Sequence, residues 1–392
     1  MKKLFVLALA LGVFLGGCQK DEIVQLPQDD AIVGLKNGDV IPNQFIVVYN
    51  PTTSLKSSLV GKYEDRVSAM RRFSEDIFSE VGIPAEAIQL AYSGTIEGVA
   101  ARLSDEEVSL LKNDKRIAYI EPDRVVMLAK PGSTVTPPPA QVVPWGITRV
   151  GGFVAYTGTK KAWVIDTGID YTHPDLNVNT TLSKTFVTRT TSANDDNGHG
   201  SHVAGTIAAI DNTIGVVGVA AGAQLVAVKV LDKRGSGAYS LVIAGVDYVA
   251  ATAASGDVAN MSLGGPISDA LDAAVIAAAN KGIKFALAAG NESQNANNCS
   301  PARVNHANVY TISAMSSTDV WASFSNYANP PVDYCAPGVS IYSTWMKGGY
   351  STISGTSMAS PHAAGVLMLG TPKADGYVIG DPDGTPDPII HR

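Results

Sequence analysis

The arrangement of apolar residues after residue 142 constrains the fold more than any other feature of the chain. Short, uninterrupted apolar stretches alternate there with alanine-rich segments long enough to form helices. Strands that are apolar at every position are buried on both faces of a sheet. The pattern therefore predicts an α/β unit with a parallel sheet and helices on both faces. Its predicted strands are 161–166, 223–231, 257–263, 283–290 and 308–315.

A smaller unit with a different pattern precedes it. Its predicted strands are 44–49, 98–103 and 117–128, and its first predicted helix is 63–81. Ser104 and Glu107 form the capping-box pattern that starts a second helix. We therefore expect a small α+β domain at 43–129.

A proline-rich stretch, KPGSTVTPPPAQ, separates the two units at 130–141. Proline fixes its own φ and cannot donate a hydrogen bond to a sheet. We therefore expect an exposed connector here and place the larger domain at 142–392.

Composition narrows the classes of function. Of the 392 residues, 45% are hydrophobic and 17% are charged, which is typical of a compact globular protein. The formal net charge of −7 and the absence of a basic run in the sequence argue against nucleic acid as a partner. After the first residues, no apolar run approaches the roughly 20 residues that span a bilayer.

The N-terminus resembles an export signal. Two lysines precede an apolar stretch with a small-residue end, so residues 1–17 predict a signal peptide that is removed. The LGGC that ends at Cys18 resembles the bacterial lipoprotein box, in which the cysteine is acylated. Ordinary cleavage with an incidental Cys18 is the alternative. We expect 18–42 to tether an exported precursor at the outer membrane or cell surface.

Cys299 and Cys335 are the two remaining cysteines. An exported chain meets an oxidising compartment, where disulfides form. Sequence cannot show whether the two residues are close, so a disulfide and two buried free thiols both remain open.

Polar residues follow several predicted strands, at the end where parallel sheets bind ligands. Asp166 ends the first strand, and Asn291 follows the strand at 283–290. His199 lies where a helix begins, and Ser357 precedes an apolar helical stretch. Each residue alone is a common turn or cap residue. Together they supply a nucleophile, a base, an orienting acid and an oxyanion donor.

Five motifs connect this pattern to a family. VIDTGID, HGSHVAGT, NMSLGG, AAGNES and GTSMASPH begin at residues 164, 199, 260, 288 and 355. In this order they resemble the subtilisin-like serine peptidases, or subtilases, from about Asn43 to Pro361. The resemblance implies a three-layer α/β fold with a parallel sheet, preceded by a ferredoxin-like propeptide domain. It also implies a secreted serine endopeptidase that is made as a self-processing zymogen.

The resemblance also assigns the chemistry, residue by residue. Ser357 is the expected nucleophile, His199 its general base and then acid, and Asp166 the group that orients the imidazole. The Ser357 N–H and the Asn291 side chain are the expected oxyanion donors. A zinc pair of His199 and His202 is the alternative. HGSH has neither the glutamate nor the spacing of His-Glu-x-x-His, so we do not expect zinc.

The substrate is expected to bind as an added strand, as the resemblance implies. Two glycine-containing stretches should flank it, because glycine permits close approach of the backbone. They are Gly235, Ser236 and Gly237 on one side and Ser262, Leu263, Gly264 and Gly265 on the other. Ala289 and Gly290 are expected in the wall of the P1 pocket. No acid at the pocket base is evident, so we expect an apolar or bulky P1 side chain.

A structural calcium ion is the expected cofactor. AIDNTIGVVGVA at 209–220 resembles the family's calcium loop. The implied ligands are Gln141, Asp175, Ile210, Asn212, Ile214 and Val216, an all-oxygen set that suits a hard cation. A polar turn between two glycines is the alternative. The spaced acids of DPDGTPD at 381–387 are expected to form a solvated turn.

The propeptide is expected to inhibit the enzyme until the chain is cut. Residues 120–130 should lie in the substrate groove as an inhibitory tail. Gln141 is expected to reach the calcium site comfortably only after a cut just before it. Because Cys18 lies on the propeptide side of the cut, the cut should free the catalytic domain, which we expect to be a monomer, from any lipid.

One departure from the family concerns the C-terminus. GTPKADG at 370–376 ends the helix that follows Ser357 soon after Leu369, where subtilases usually continue into a long helix. A shortened fold and a sheet completed in another way are both open. Two other functions compete with general proteolysis: binding by an inactive peptidase scaffold, and cutting of the protein's own connector alone.

Overall fold

The computed structural model describes residues 32–51, 59–128 and 134–392. The predicted signal peptide, the lipidation site Cys18 and part of the tether lie outside the described residues, as does the start of the connector. No helix in the described ranges is long and apolar enough to cross a membrane. These ranges form two units that pack against each other.

The smaller unit is an antiparallel sheet covered on one face by two helices. Its elements are β1 (Val40–Tyr49), α1 (Tyr63–Glu80), β2 (Ile88–Tyr92), β3 (Gly98–Arg102), α2 (Asp105–Leu111) and β4 (Ile117–Met127). The sequence analysis missed β2, which is short and has an irregular register with β3. The capping box is confirmed, since Ser104 Oγ accepts from Glu107 N and Glu107 Oε2 accepts from Ser104 N.

The larger unit contains a nine-stranded sheet, and the predicted α/β class is confirmed. In spatial order its strands are β19 (Lys373–Tyr377), β20 (Pro388–His391), β16 (Val332–Pro337), β15 (Val309–Met315), β13 (Lys284–Ala288), β11 (Val258–Met261), β6 (Ala162–Asp166), β9 (Leu225–Lys229) and β7 (Lys184–Thr185). All neighbouring pairs are parallel except β19 with β20.

The other elements are short strands and five helices. The strands are β5 (Val154–Ala155), β8 (Ala220–Ala221), β10 (Ser236–Ala238), β12 (Gly265–Pro266), β14 (Cys299–Ser300), β17 (Ile341–Trp345) and β18 (Gly349–Ile353). The helices are α3 (Trp145–Arg149), α4 (His199–Ala208), α5 (Tyr239–Thr252), α6 (Asp269–Ala279) and α7 (Thr356–Leu369).

Strand β6 shows why the sheet is apolar at every position. Trp163 and Ile165 belong to a buried cluster with residues of α5 and α6. Ala162 and Val164 belong to a second cluster with residues of α4 and α7. Both faces of the sheet are therefore covered, and the chemistry is left to the loops at the strand ends.

The two units meet across helix α5. One face of the small sheet, including Ile46, Val48 and Ala100, shares a buried cluster with α5 residues such as Val242. Asp247 of α5 accepts hydrogen bonds from the backbone N–H groups of residues 93–95, at 2.7 to 3.0 Å. Apolar contacts and hydrogen bonds therefore hold the small unit against the larger one.

The segment after α7 adds two strands to the sheet. Helix α7 ends at Leu369, as predicted, and the chain then turns back as the hairpin of β19 and β20. Strand β20 pairs in parallel with β16 and adds to the sheet. The loop before β20 is not wholly a solvated turn, because Asp387 is only 1% exposed.

The described part of the connector is largely exposed, as predicted, but it is hydrogen-bonded to the larger unit from residue 136 onward. Thr136 exchanges two backbone hydrogen bonds with Tyr350, at 2.9 and 3.0 Å. Gly215 N donates to Pro139 O, and Gln141 N donates to Thr213 O. The proline residues remain largely exposed, but the segment as a whole is held in place.

Candidate active site

Asp166 and His199 form a buried pair at the end of the sheet. Asp166 is the last residue of β6, and His199 is the first residue of α4. His199 Nδ1 lies 2.8 and 2.9 Å from the two Asp166 carboxylate oxygens. Thr167 N also donates to Asp166 Oδ1, at 2.7 Å. Because a carboxylate only accepts, Nδ1 carries the proton and Nε2 is left as the basic nitrogen.

Asp195, which the sequence analysis missed, fixes the start of α4. Its carboxylate accepts hydrogen bonds from the N–H groups of Asn197, Gly198 and Ser201, each at 2.9 Å. Burial raises the pKa of Asp195, and these donors act against that shift. Gly198 has φ +113°, and a Cβ there would lie 2.1 Å from the Trp345 ring, so only glycine fits.

Ser357 is the second residue of α7, and it is held against the segment after β11. Its Oγ donates to Ser262 O at 3.1 Å, and Ser262 Oγ donates to Ser357 O at 2.8 Å. No hydrogen bond within the described ranges joins Ser357 Oγ to His199. Such bonds often form only when a substrate is bound, so this geometry is compatible with a resting nucleophile.

Asn291 is oriented by the first residue of α7. Its Oδ1 accepts from Thr356 N at 2.8 Å and from Thr356 Oγ1 at 3.0 Å. The amide nitrogen is therefore the group left to donate. A Cβ on Gly355 would lie 3.8 Å from that nitrogen and 3.6 Å from Ser357 N, so both donors lie close to the same glycine.

Glu292 and Asn326 support this loop and were also missed. Glu292 Oε2 accepts from Asn291 N at 2.9 Å and from Asn326 Nδ2 at 2.8 Å. Gly290 N donates to Thr356 Oγ1 at 3.2 Å, and the neighbouring Ala289 is fully buried. The acid that follows Asn291 in AAGNES was the available signal, but its partner lies 34 residues away.

The expected substrate segments contact the end of the small unit. Strand β10 pairs antiparallel with β4, with Ser236 opposite Met127 and Gly237 opposite Val126. Leu128 N then donates to Gly235 O at 2.9 Å. Val126 is buried in one apolar cluster with Leu263. The end of the small unit therefore lies along the first glycine-containing stretch as an added strand.

The expected calcium residues converge on Asp175, which is fully buried. Asn212 Nδ2 donates to Asp175 Oδ1 at 2.6 Å, and Asn212 N donates to Gln141 Oε1 at 2.5 Å. The chain is continuous from 134 to 141, so Gln141 lies at this loop without a preceding cut. Its side chain already reaches the loop because residues 136–141 pair with the larger unit.

Most of the expected calcium ligands at this loop are uncharged. No group of three or more His, Cys, Asp or Glu side chains in the described part of the chain is placed to hold a metal. The expected ligands are one carboxylate, two amides and the carbonyls of Ile210, Ile214 and Val216. A second carboxylate, that of Asp211, accepts from Gln141 Nε2 at 2.8 Å. Such oxygen ligands suit calcium and not a soft metal, so the residues fit the expected ion.

The remaining candidates are packed into the core. His202 is fully buried, its Nε2 lies 3.0 Å from Ile341 O, and burial lowers its pKa to about 3. This contact joins α4, which contains His202, to β17. Cys299 and Cys335 are buried free thiols, and burial raises the pKa of Cys299 to about 11.

Comparison with known proteins gives the same two units. Residues 162–377 match the subtilase family, and residues 32–129 match peptidase inhibitor I9. Alkaline serine exoprotease A of Vibrio alginolyticus is 40% identical over 339 residues, which are 84% of this chain and 60% of that protein. Subtilisin E of Bacillus subtilis is 42% identical over 80% of each chain.

Two further matches extend the comparison. An extracellular serine proteinase of a Thermus species is 36% identical over 97% of this chain and 91% of that protein. The crystal structure of a cold-adapted subtilisin-like serine proteinase is 38% identical, with a TM-score of 0.55. That match covers 63% of this chain and 97% of the other.

Proposed function

The chain belongs to the subtilase family, and we propose that it hydrolyses peptide bonds through Asp166, His199 and Ser357. The observation that carries this assignment is the buried pair of Asp166 and His199, with Nδ1 held by both carboxylate oxygens. The chain is a subtilisin-like serine endopeptidase with an inhibitor domain, like its extracellular relatives. All the residues of the triad are present, which argues against binding by an inactive scaffold.

The proposed reaction assigns one role to each of these residues. Ser357 Oγ attacks the carbonyl carbon of the substrate while its proton passes to His199 Nε2. Asp166 stabilises the charged imidazole, and Ser357 N and Asn291 Nδ2 donate to the oxyanion. The imidazolium then protonates the leaving amine, and an acyl-enzyme on Ser357 remains. Water, deprotonated by His199, releases the acid and restores the serine.

Before the cut, the end of the inhibitor unit blocks the site as a bound tail. We take the substrate cleft to be the space between the two glycine-containing stretches, 235–237 and 262–265. Strand β4 and Leu128 occupy its β10 side. Thr136 is bound at Tyr350, away from β10. We place the cut between Leu128 and Thr134, instead of just before Gln141. Substrate strands of other proteins would bind at the same glycine-containing stretches after the tail leaves.

Intact mass tests the cut and the nucleophile together. The chain without its signal, residues 19–392, is prepared as wild type and as Ser357→Ala, and both are followed over time with calcium. We expect only the wild type to split, with new ends between 128 and 134. A split in Ser357→Ala would contradict the assigned nucleophile. Casein hydrolysis by the split wild type then separates a general peptidase from a protein that cuts only itself.

The calcium proposal rests on the oxygen atoms gathered around Asp175. The ligands would be Gln141, Asp175, Asn212 and the carbonyls of Ile210, Ile214 and Val216, and the ion would tie the connector to the loop. Calcium supplies structural cross-linking there and takes no part in the reaction. Binding would raise the thermal midpoint of the chain, as mass action requires. A thermal midpoint that is the same in calcium and in a chelator would contradict the site.

The lipid proposal rests on the sequence LGGC alone. Acylation of Cys18 would hold the precursor at the outer membrane or cell surface, and the cut would release the catalytic unit as a monomer. Mass spectrometry of cell-bound precursor and released enzyme tests this. Lipid on the mature enzyme, or an unmodified Cys18 in the precursor, would contradict it.

A further inference from the structure

Residues 32–39, which precede β1 and which we term the N-terminal clamp, lie along the edge of the inhibitory tail that faces away from β10. Gly38 N donates to Val125 O at 2.8 Å, and Val125 N donates to Asp39 O at 2.9 Å. The opposite edge of the tail pairs with β10 of the catalytic unit. The tail is therefore bonded on both edges, and its second neighbour comes from the propeptide itself.

Asn37 connects this clamp to the proposed substrate cleft. Its Oδ1 accepts from Met127 N at 2.9 Å, and its Nδ2 donates to Gly264 O at 3.5 Å. One side-chain amide thus bridges the tail and the second glycine-containing stretch. A substrate strand with no such clamp would have to pair with that stretch through its own backbone.

The backbone next to Asn37 fits closely against Pro266, which follows the same stretch. Gly38 has φ +86°, and a Cβ at this position would lie 2.5 Å from Pro266 Cγ. A residue with a side chain would be strained and would also clash. Ile32, at the other end of the clamp, is 5% exposed and shares a small buried cluster with Val125 and Ala238.

We propose that the N-terminal clamp is a second inhibitory segment, and that it sets how long the propeptide stays bound after the chain is cut. Asn37 fills the gap between the tail and Gly264, so the cleft is closed on both sides of the tail. This inference rests on the proposed function, since it requires that the tail inhibits and that a cut frees it.

The position of the clamp makes the inference testable. Residues 32–39 lie on the propeptide side of the cut, so the mature enzyme is the same in every clamp variant. Any difference in the time course of activation therefore comes from the propeptide. The Asn37 side chain is exposed, so its replacement leaves the core of the inhibitor unit intact.

The experiment follows two signals from the full chain without its signal peptide. Intact mass reports the cut, and hydrolysis of a chromogenic peptide reports free enzyme. The variants are Asn37→Ala, Asn37→Asp, which keeps an acceptor for Met127 but cannot donate to Gly264, and the control Val33→Ala. Val33 is in the same clamp and is 62% exposed.

We expect all four proteins to cut at similar rates and to reach the same final activity per mole. The lag between cut and activity should shorten about three- to tenfold in both Asn37 variants, because both lose the modest hydrogen bond to Gly264 O. Asn37→Ala also loses the bond from Met127 N. The control should keep the wild-type lag. Equal lags in the wild type and both Asn37 variants would overturn the inference and leave the proposed function intact. If the wild type is never cut, the proposed function itself fails.

Discussion

Two aspartates are buried beside the nine-stranded sheet, and their surroundings differ. Asp166, at the end of β6, faces the His199 imidazole and the Thr167 N–H. Asp387, just before β20, accepts from the Ser313 hydroxyl, and its Oδ1 has no partner in the described part of the chain. Asp381 and Asp383 lie near it and are also acidic.

The difference shows what makes a buried carboxylate useful. Asp166 has a partner that can become a cation, so its charge can stabilise a step of the reaction. Burial, together with the charges of Asp381 and Asp383, raises the pKa of Asp387 to about 7. Asp387 therefore tends to hold a proton, which lets it stay buried as a neutral group. Four variants test or refine this contrast.

The largest effect is expected from Asp166→Asn. The amide can hold His199 only in the wrong tautomer, so the basic Nε2 is lost. We expect kcat/KM for a peptide substrate to fall about 10⁴-fold, the loss known for this change in another serine protease. Asp387→Asn is the matched control and should keep full activity. Similar losses in both variants would remove the distinction between the two aspartates.

Asn291→Ala sharpens the contrast by removing a neutral donor near the same site. We expect kcat to fall about 100- to 1,000-fold, a magnitude measured for such a donor in a subtilisin of the same family. KM should change little, because the bond forms with the oxyanion and not with the ground state. A large rise in KM at constant kcat would indicate that Asn291 binds substrate instead.

Asp387→Asn should act on stability and not on catalysis. A pKa raised in the folded state means that folding favours the protonated carboxyl. The contribution of Asp387 to the free energy of unfolding is therefore complete below about pH 4 and is lost as the pH rises to about 7. In a Ser357→Ala background, which we expect to stay whole, the variant should be more stable than its parent by about 2 to 4 kcal/mol at pH 8.

The pH dependence is the check on that prediction. The gain from Asp387→Asn should shrink towards zero near pH 4, where Asp387 is protonated and resembles the amide. Thermal unfolding at several pH values measures this. A gain that is constant with pH would show that burial of charge is not the cause.

The smallest effect concerns a third buried carboxylate, Asp175, for which we propose a metal partner. Gln141→Ala removes one amide from the loop, and we expect it to lower the thermal midpoint in calcium by about 2 to 4 °C. In a chelator the difference in thermal midpoint between wild type and variant should narrow, because the wild type then also lacks the ion. An equal difference in both conditions would assign Gln141 a purely local hydrogen-bonding role.

Much of the fold was predictable because the signals were local. The apolar strands, the Ser104 capping box and the end of α7 after Leu369 follow from patterns of a few residues, and the structure confirms them. The predicted site residues Asp166 and His199 lie together for a related reason. Both stand at the ends of elements that a parallel sheet brings to one edge. The domain boundaries and the residue roles stay predictions.

Contacts between distant residues were decided only by the tertiary structure. Asn37 is hydrogen-bonded to Gly264, which lies 227 positions later in the sequence. Strand β20 pairs with β16, although β17, β18, α7 and β19 lie between them in the sequence. Asp195 and Glu292 were missed because their role depends on donors that the fold brings to them. Sequence by itself determined which residues could form elements and carry the chemistry. Tertiary structure decided which polar groups meet, because hydrogen bonds depend on distances that no local pattern encodes.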